Sequence, residues 1–132
     1  MIEKALINYL LSVPEISALL KTNVFYHRAP PKAVMPWLIV SNAGGSRRTL
    51  TAIYTEAVDT VVLYVDSGKQ FEGKTIMDMV QSKLENYRGD MGDCPDLYIW
   101  CETIRDLDIP QGGFRYIMSI HARYKFSKVN NP

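Results

Sequence analysis

The sequence is poor in the residues that build most metal and covalent catalytic sites. Of its 132 residues, two are cysteine and two are histidine. Cys94 and Cys101 form no CxxC pair and no Cys/His cluster surrounds them, so they are expected to be reduced thiols and not zinc ligands. His27 and His121 stand in no nucleophile motif, which leaves few options for Ser-His-Asp or Cys-His chemistry. The sequence therefore predicts neither an enzyme nor a bound metal or cofactor.

Long hydrophobic runs and an excess of one charge are also missing. No apolar run approaches the roughly 18 residues that a spanning helix needs, so no membrane segment is predicted. Residues 1–13 are apolar, but Glu3 occupies the would-be basic region of a signal peptide and no small-residue cleavage site follows, so export by this route is not expected. The net charge of +1 gives no sequence-wide reason to bind nucleic acid or anionic lipid.

The sequence does have the composition of a folded globular domain. It is 47% hydrophobic and 22% charged, close to the averages for such proteins. At this length a chain buries a core without disulfides, and no linker or internal repeat divides it. We therefore predict a single domain over residues 1–132, with a polar, frayed tail at 127–132.

Helical periodicity predicts three helices, two at the start of the chain and one in its middle. In residues 1–13 the apolar positions recur at helical spacing and leave Glu3 on the other face. The segment 12–15 has the form of a capping box with proline in the first turn, which predicts a short second helix with Ile16, Leu19 and Leu20 buried. The main helix is predicted over residues 70–88, with Phe71 on its apolar face and Gly89 taking the left-handed conformation after its last turn.

Strands fill the remainder. We predict a brief strand at 24–26, a loop shaped by Pro30, Pro31 and Pro36, and a buried strand at 37–40 that includes Trp37. Residues 44–52 are predicted to be a polar, glycine-led loop, followed by strands at 57–66, 97–104 and 114–126. The fold class is α+β: a four- to five-stranded, mostly antiparallel sheet packed against one long helix, with two short N-terminal helices.

Three chemical alternatives can be weighed from the residues. Asp96, Glu102, Asp106 and Asp108 loosely resemble a PD-(D/E)xK metal nuclease, but Ile104 stands where that pattern requires lysine. The segment GGSRR at 44–48 lacks the Gly-Lys-Ser/Thr that opens a helix in a phosphate-binding P-loop. A basic loop on an interaction surface is the better interpretation of it.

The third alternative is a nucleic-acid platform of aromatic and basic side chains. The last strand alternates between an apolar face and a face that carries Arg115, His121, Arg123 and Lys125. Because its aromatic residues share the face opposite the basic ones, they are expected in the core and not beneath stacked bases.

An ordered set of short motifs resembles the tail-completion proteins of tailed bacteriophages, the small tail terminators of siphophages. An N-terminal helix with Ala5-Leu6 leads to ISALL at 16–20, then to VFY at 24–26, RAP at 28–30 and PWLIV at 36–40. The family places a short I-Y strand, a proline loop and P-Y-I-V in this order. Trp37 replaces the usual tyrosine, and KTN at 21–23 stands where a VG is usual.

The resemblance implies a virion structural protein without an active site. It would form a ring, commonly a hexamer, that caps the head-proximal end of the tail tube, ends its polymerisation and forms part of the head-tail joint. Its partners would be further copies of itself, the tube protein and a neck or head-completion protein, with DNA passing through the ring channel without sequence-specific contacts. It would be assembled in the host cytoplasm and reside in the virion tail.

Two alternatives to the terminator stay open at this point. They are a head-completion (stopper) protein of the neck and a small nucleic-acid-binding module. The candidate interface residues lie in the predicted loop at 44–54 and on the polar face of the last strand; they are Arg47, Arg48, Thr49, Tyr54, Arg115, His121, Arg123 and Lys125.

Overall fold

The fold, taken from a computed structural model, is described for residues 1–49, 54–109 and 112–127. Within these residues lie three helices: α1 (Ile2–Ser12), α2 (Pro14–Leu20) and α3 (Gln70–Leu84). The same residues form seven strands: β1 (Val24–Tyr26), β2 (Trp37–Thr49), β3 (Tyr54–Ser67), β4 (Arg88–Met91), β5 (Cys94–Cys101), β6 (Arg105–Asp108) and β7 (Phe114–Ser127).

All of these strands belong to one mixed sheet in the order β1-β2-β3-β7-β5-β4, with β6 also paired to β7. Among the strand pairs of the described residues, only β1-β2 is parallel. The central pair, β3 and β7, is in register over all of its length, from Tyr54 opposite Ser127 to Ser67 opposite Phe114. The α+β class is confirmed, but the prediction of four or five strands was too low.

One face of this sheet carries the core. Helices α1 and α3 both pack against strands, α1 on β1 and β2 and α3 on β3 and β7. The cover is therefore not one long helix, as predicted, but two helices that share the sheet. Buried side chains alternate along the strands as the sequence pattern predicts; on β3 and β7 they include Val61, Leu63, Val65, Tyr116, Met118, Ile120 and Ala122.

The two N-terminal helices are confirmed, with three differences in detail. Glu3 is buried instead of exposed, because Asn42 of β2 donates a hydrogen bond to its carboxylate. Leu19 remains exposed, since α2 turns only Ile16 and Leu20 toward the core. The capping box does not form: Ser12 donates its hydroxyl hydrogen bond to the carbonyl of Tyr9 in the preceding helix.

The predicted loop at 44–52 is wrong over its described part. Strand β2 continues through Gly44 and Gly45 to Thr49, paired with β3 throughout, and a β-bulge lies between Asn42 and Gly44. Residues 50–52 lie outside the described residues. The two glycines lie within the strand and do not end it. Gly45 has no room for a side chain, because a Cβ there would come within 2.1 Å of Asp59 Oδ1.

Helix α3 also ends earlier than predicted. It stops at Leu84 instead of residue 88, and Asn86, not Gly89, takes up the first positive φ, at 61°. Asparagine tolerates this conformation better than most residues do. Gly89 lies in β4. Phe71, placed on the apolar face by its spacing, is 82% exposed because the first turn of α3 leaves it outside the core.

In the C-terminal half, the strand predicted at 97–104 is β5 and lies three residues earlier in the chain. Strand β6 was not predicted: its four residues RDLD are all exposed and show no buried alternation. The strand predicted at 114–126 is confirmed as β7. Ser127, predicted to belong to the frayed tail, is the last residue of that strand. Residues 128–132 lie outside the described residues.

Candidate functional site

The eight residues predicted as an interface lie on three neighbouring strands. Arg47, Arg48 and Thr49 end β2, Tyr54 begins β3, and the other four are on β7. The register places Arg48 opposite Glu56 and Glu56 opposite Lys125, so these three positions form one row across the sheet. Seven of the eight predicted positions therefore gather toward one end of the sheet. Arg115 lies apart, about 26 Å from Arg123 along the strand at 3.3 Å per residue.

Arg47 points to the helix-covered face, where it meets a buried carboxylate. Asp59 of β3 is only 3% exposed, and Arg47 Nη1 donates to its Oδ1 over 3.0 Å. The hydroxyl of Tyr124 donates to Asp59 Oδ2 over 2.8 Å. The carboxylate is thus held from both sides, as a buried charge must be. Arg47 therefore supports the fold as well as reaching the surface.

The pKa of Tyr124 in this cluster is strongly perturbed. Burial, followed by its hydrogen bond to Asp59, raises the pKa of Tyr124 well above its ordinary value of 10.0. Burial alone would lower the pKa of Arg47, but its hydrogen bond with Asp59 and the charge of that carboxylate raise it. The Tyr124 phenol and the Arg47 guanidinium thus both bind the buried side chain of Asp59.

The sheet face opposite the helices, here called the outer face, carries a stack of rings. Tyr98 and Trp100 of β5 lie with ring centroids 5.6 Å apart and planes at 28°. Trp100 stacks in turn on His121 of β7, at 5.2 Å and 25°. The guanidinium of Arg88 lies 4.2 Å from the Tyr98 ring centroid. The series Arg88, Tyr98, Trp100 and His121 is therefore one continuous stack.

His121 is fixed by polar contacts as well as by stacking. Its Nε2 lies 2.7 Å from Glu102 Oε2, and its Nδ1 lies 3.2 Å from Thr60 Oγ1. These contacts tie β7 to Glu102, the residue that follows β5, and to Thr60 of β3.

Next to the stack lies a polar cleft of about 370 Å³. Two of its three cations are paired with acids: Arg123 is 3.8 Å from Glu56, and Lys125 is 3.2 Å from Asp96. The cleft is lined by Glu56, Arg88, Gly89, Asp96, Leu97, Tyr98, Arg123 and Lys125. Because two acids lie among its three cations, the cleft presents mixed charge and not a purely basic track for a phosphate backbone.

Arg115, the eighth predicted residue, is bound within the protein. Its Nε donates to Asp66 Oδ1 over 2.7 Å and its Nη2 to Asp66 Oδ2 over 2.9 Å. Trp37 Nε1 donates to the same Oδ2 over 2.8 Å. The hydrogen bond to Asp66 raises the pKa of Arg115, against the opposing effect of burial. Trp37 was expected in the core; instead it is half-buried and bound to Asp66, while Leu38 and Val40 fill the core.

Sequence reasoning missed three residues of the outer face, Arg88, Tyr98 and Trp100. It considered the aromatic residues of β7 alone, which do lie on the opposite face from the basic ones. The signal was the alternation of β5, which puts Leu97 and Ile99 inside and Tyr98 and Trp100 outside. The ring faces of this stack already cover one another, so they are not free to stack on bases. This reason is separate from the alternation of β7.

The acidic residues of the nuclease alternative do not converge. Asp96 pairs with Lys125 and Glu102 with His121, while Asp106 and Asp108 lie on β6. In residues 1–49, 54–109 and 112–127, the His, Cys, Asp and Glu side chains form no group of three that could hold a metal ion.

Neither cysteine is disulfide-bonded. Burial raises the pKa of both Cys94 and Cys101 to about 12. None of the helices within the described ranges is both long and apolar enough to cross a bilayer.

Every buried side-chain nitrogen or oxygen in the described part of the chain has a hydrogen-bond partner. Over residues 4–125 the sequence matches the family described as Tail completion protein gp17, and the chain belongs to that family.

The fold agrees with a solved structure of a gene transfer agent virion. A chain of the "Virion of native gene transfer agent (GTA) particle" superposes with a TM-score of 0.72 at 17% identity, covering 93% of each chain. At that identity the likeness establishes the fold alone. Among curated proteins, none matches this sequence.

Proposed function

We propose that the protein is a virion structural component that caps the head-proximal end of a phage tail tube, ends its polymerisation and forms part of the head-tail joint. The observation that carries the proposal is membership of the tail completion family over residues 4–125. The family role is structural, so no catalytic step is required of this chain. In the proposed assembly the copies form a hexameric ring, and DNA passes through its channel without sequence-specific contacts.

Physical features of the sheet support this role. A capping subunit must present rigid surfaces to the tube, to the neck and to its neighbours. The outer face is fixed in advance by stacked rings and by the ion pairs of Arg123, Lys125 and His121. Such a prearranged surface loses little conformational entropy when a partner covers it. The mixed charge of the cleft fits a protein partner or a channel wall that does not hold DNA tightly.

The experiment that tests the proposal is electron microscopy of tails assembled with and without this chain. Tubes of uncontrolled length in its absence, and added density at the head-proximal end in its presence, are the expected results. Tails of normal length that fail only to join heads would replace the terminator with a neck stopper protein. Normal tails that join heads normally in its absence would overturn both roles.

A further inference from the structure

The charges of this chain are unevenly distributed along its sequence. Between Glu15 and Glu56 there are five lysine or arginine residues and no aspartate or glutamate. Two of the five lie at the end of β2. The other three are exposed: Lys21 precedes β1, and Arg28 and Lys32 lie in the loop that follows it. Within the described residues none of these three cations forms an ion pair, so they are available to an outside partner.

Exposed apolar and aromatic side chains lie beside these cations. Val34, in the same loop, is 74% exposed, and Tyr26, the last residue of β1, is 51% exposed. The ring of Tyr26 lies 6.2 Å from the ring of His27, which is also exposed. The name proline-loop patch is used below for Lys21, Tyr26, His27, Arg28, Lys32 and Val34.

The loop after β1 is fixed by hydrogen bonds to the residue before that strand. Asn23 Nδ2 donates to the carbonyl oxygens of Val34 and Pro36, over 2.9 and 3.3 Å. These bonds return the loop to the start of β1. Lys21 lies two residues before Asn23, and Lys32 lies two residues before Val34, so both lysines belong to this end of the patch.

Two tight turns present the cations of the loop. The amide of Ala33 donates to the carbonyl of Pro30 over 3.0 Å, which closes a four-residue turn with Lys32 at its tip. The amide of Arg28 donates to the carbonyl of Tyr26 over 2.8 Å, and the residue between them has a φ of 71°, the rare form of a three-residue turn. Because the backbone beneath both cations is already fixed, a partner that binds them orders little further chain.

The patch favours a protein partner over nucleic acid. Asn23 and His27, at its two ends, are four residues apart, about 13 Å at 3.3 Å per residue of strand. Three of the ten residues at 27–36 are prolines, which lack the backbone N–H groups that often bind phosphate. Phosphate oxygens also gain nothing from an exposed valine, whereas protein interfaces are enriched in aromatic residues and arginine.

We propose that the proline-loop patch docks on an acidic protein face, and that this face belongs to the end of the tail tube. The inference rests on the proposed capping function, for which the tube end is the one indispensable partner. Carboxylates of the tube pair with Lys21, Arg28 and Lys32, and an apolar recess among them receives Val34. The chemistry of the partner follows from that of the patch, whose cations have no carboxylates of their own.

Binding to isolated tubes tests the proposal. Tubes are prepared from particles made without this chain, and binding of the purified protein is measured by co-sedimentation at low and high salt. Arg28→Glu and Lys32→Glu should each weaken binding about tenfold, since each sets a like charge against the carboxylates of the tube. High salt should weaken the parent more than either variant. Lys4→Glu, the same reversal at an exposed position of α1, should bind as the parent does.

Carbodiimide cross-linking, which joins lysine amines to adjacent carboxylates, gives an independent readout. Mass spectrometry of the tube-bound protein should find Lys21 or Lys32 linked to an aspartate or glutamate of the tube protein. Lys32→Arg keeps the positive charge but has no amine to link. This variant should therefore bind tubes as the parent does and lose only the cross-link at its own position.

The outcomes separate this inference from the proposed function. Tube binding that is equal in the parent, Arg28→Glu and Lys32→Glu, each checked for folding by circular dichroism, would overturn the patch contact and leave the capping function intact. A parent protein that binds no tubes at either salt concentration would overturn both. If both variants bind tubes normally but lose the binding of a DNA duplex that the parent shows, the acidic partner is wrong and the patch contacts phosphate.

Discussion

Arg115 donates two hydrogen bonds, of 2.7 and 2.9 Å, to the carboxylate of Asp66, close to the end of the β3-β7 ladder where Ser67 pairs with Phe114. Asp66 is 1% exposed, whereas the Arg115 side chain is 33% exposed. The pair joins β3 to β7, and the indole of Trp37 in β2 donates a hydrogen bond to the same carboxylate. Arg115, predicted at an interface, therefore also bonds with a buried carboxylate within the fold.

Removing that arginine should destabilise the protein strongly. Arg115→Ala leaves Asp66 buried with Trp37 as its remaining side-chain donor, and we expect a loss of about 3 kcal/mol in the free energy of unfolding, at the low end for broken buried pairs because Arg115 is partly exposed. Urea denaturation measures it. Arg28→Ala, in the exposed loop before β2, is the matched control and should change stability by less than about 0.5 kcal/mol. Equal stabilities would show that the Asp66 contact contributes nothing.

The raised pKa of Tyr124 predicts a particular dependence on alkaline pH. In the unfolded chain this phenol ionises near its ordinary pKa of 10.0, whereas in the folded protein its pKa is higher. The stabilisation is therefore fully present below about pH 10 and is lost as the pH rises toward the folded pKa, by up to about 1.4 kcal/mol per pH unit. Tyr124→Phe should flatten the stability curve above pH 10.

Tyr26→Phe, at a half-exposed tyrosine, should retain the full slope of the parent. The measurement is the free energy of unfolding from pH 8 to pH 11 for the three proteins. Identical slopes for the parent and Tyr124→Phe would contradict the assignment.

Gly45 tests the close approach of β2 to β3. An added Cβ would lie 2.1 Å from Asp59 Oδ1 and 2.7 Å from the carbonyl oxygen of Val58. Gly45→Ala must move backbone or the buried carboxylate, and we expect a cost of about 2 kcal/mol. Gly68→Ala is the control, because nothing lies within 4 Å of the added carbon there. Thermal unfolding of both variants should separate them clearly, and a Gly45→Ala protein as stable as Gly68→Ala would refute the packing.

The two cysteines should resist alkylation in the folded protein. With pKa values near 12, against an ordinary 9.0, each thiol holds about a thousandfold less thiolate at pH 8 than an unperturbed one. Iodoacetamide labelling followed by mass spectrometry should therefore be slow in buffer and fast in urea. Rapid labelling of Cys94 under native conditions would show that its site opens readily.

Charge reversal at the end of β2 should give two different outcomes. Arg47→Glu places a carboxylate against buried Asp59 and should destabilise the fold by about 3 kcal/mol or more. Arg48→Glu, at the next position of β2, should leave the fold intact and weaken assembly. Melting temperatures and tail assembly measured side by side distinguish them. A double reversal at both positions, attractive from sequence alone, would confuse folding with assembly.

Local patterns in the sequence were enough to predict α1, the core of β3 and the alternation of β7. They failed where contacts between distant residues determine the local structure or the burial of a side chain. The segment from Gly44 to Thr49 has the composition of a loop, yet it is a strand because Gly45 makes room for Asp59. Glu3 is buried because Asn42, 39 residues away, donates a hydrogen bond to it.

The candidate site was predicted in part for the same reason. Arg47, Arg48 and the polar positions of β7 were selected from composition and alternation, and the register brings most of them together. The roles of Arg47 and Arg115 within the fold depend on Asp59 and Asp66, and spacing in the sequence cannot pair residues across a sheet. The interface role of these residues remains a prediction, as does the single-domain assignment.

The uninterrupted pairing of β3 with β7 has a mechanical consequence. Fourteen residues of each strand are matched in register, and the ladder bonds lie perpendicular to the strands. Tension applied along the strand direction, between the end near Tyr54 and the end near Phe114, loads these bonds in shear and therefore all together. A pull of that kind must break the ladder as a unit, whereas a pull across the sheet would unzip it one pair at a time.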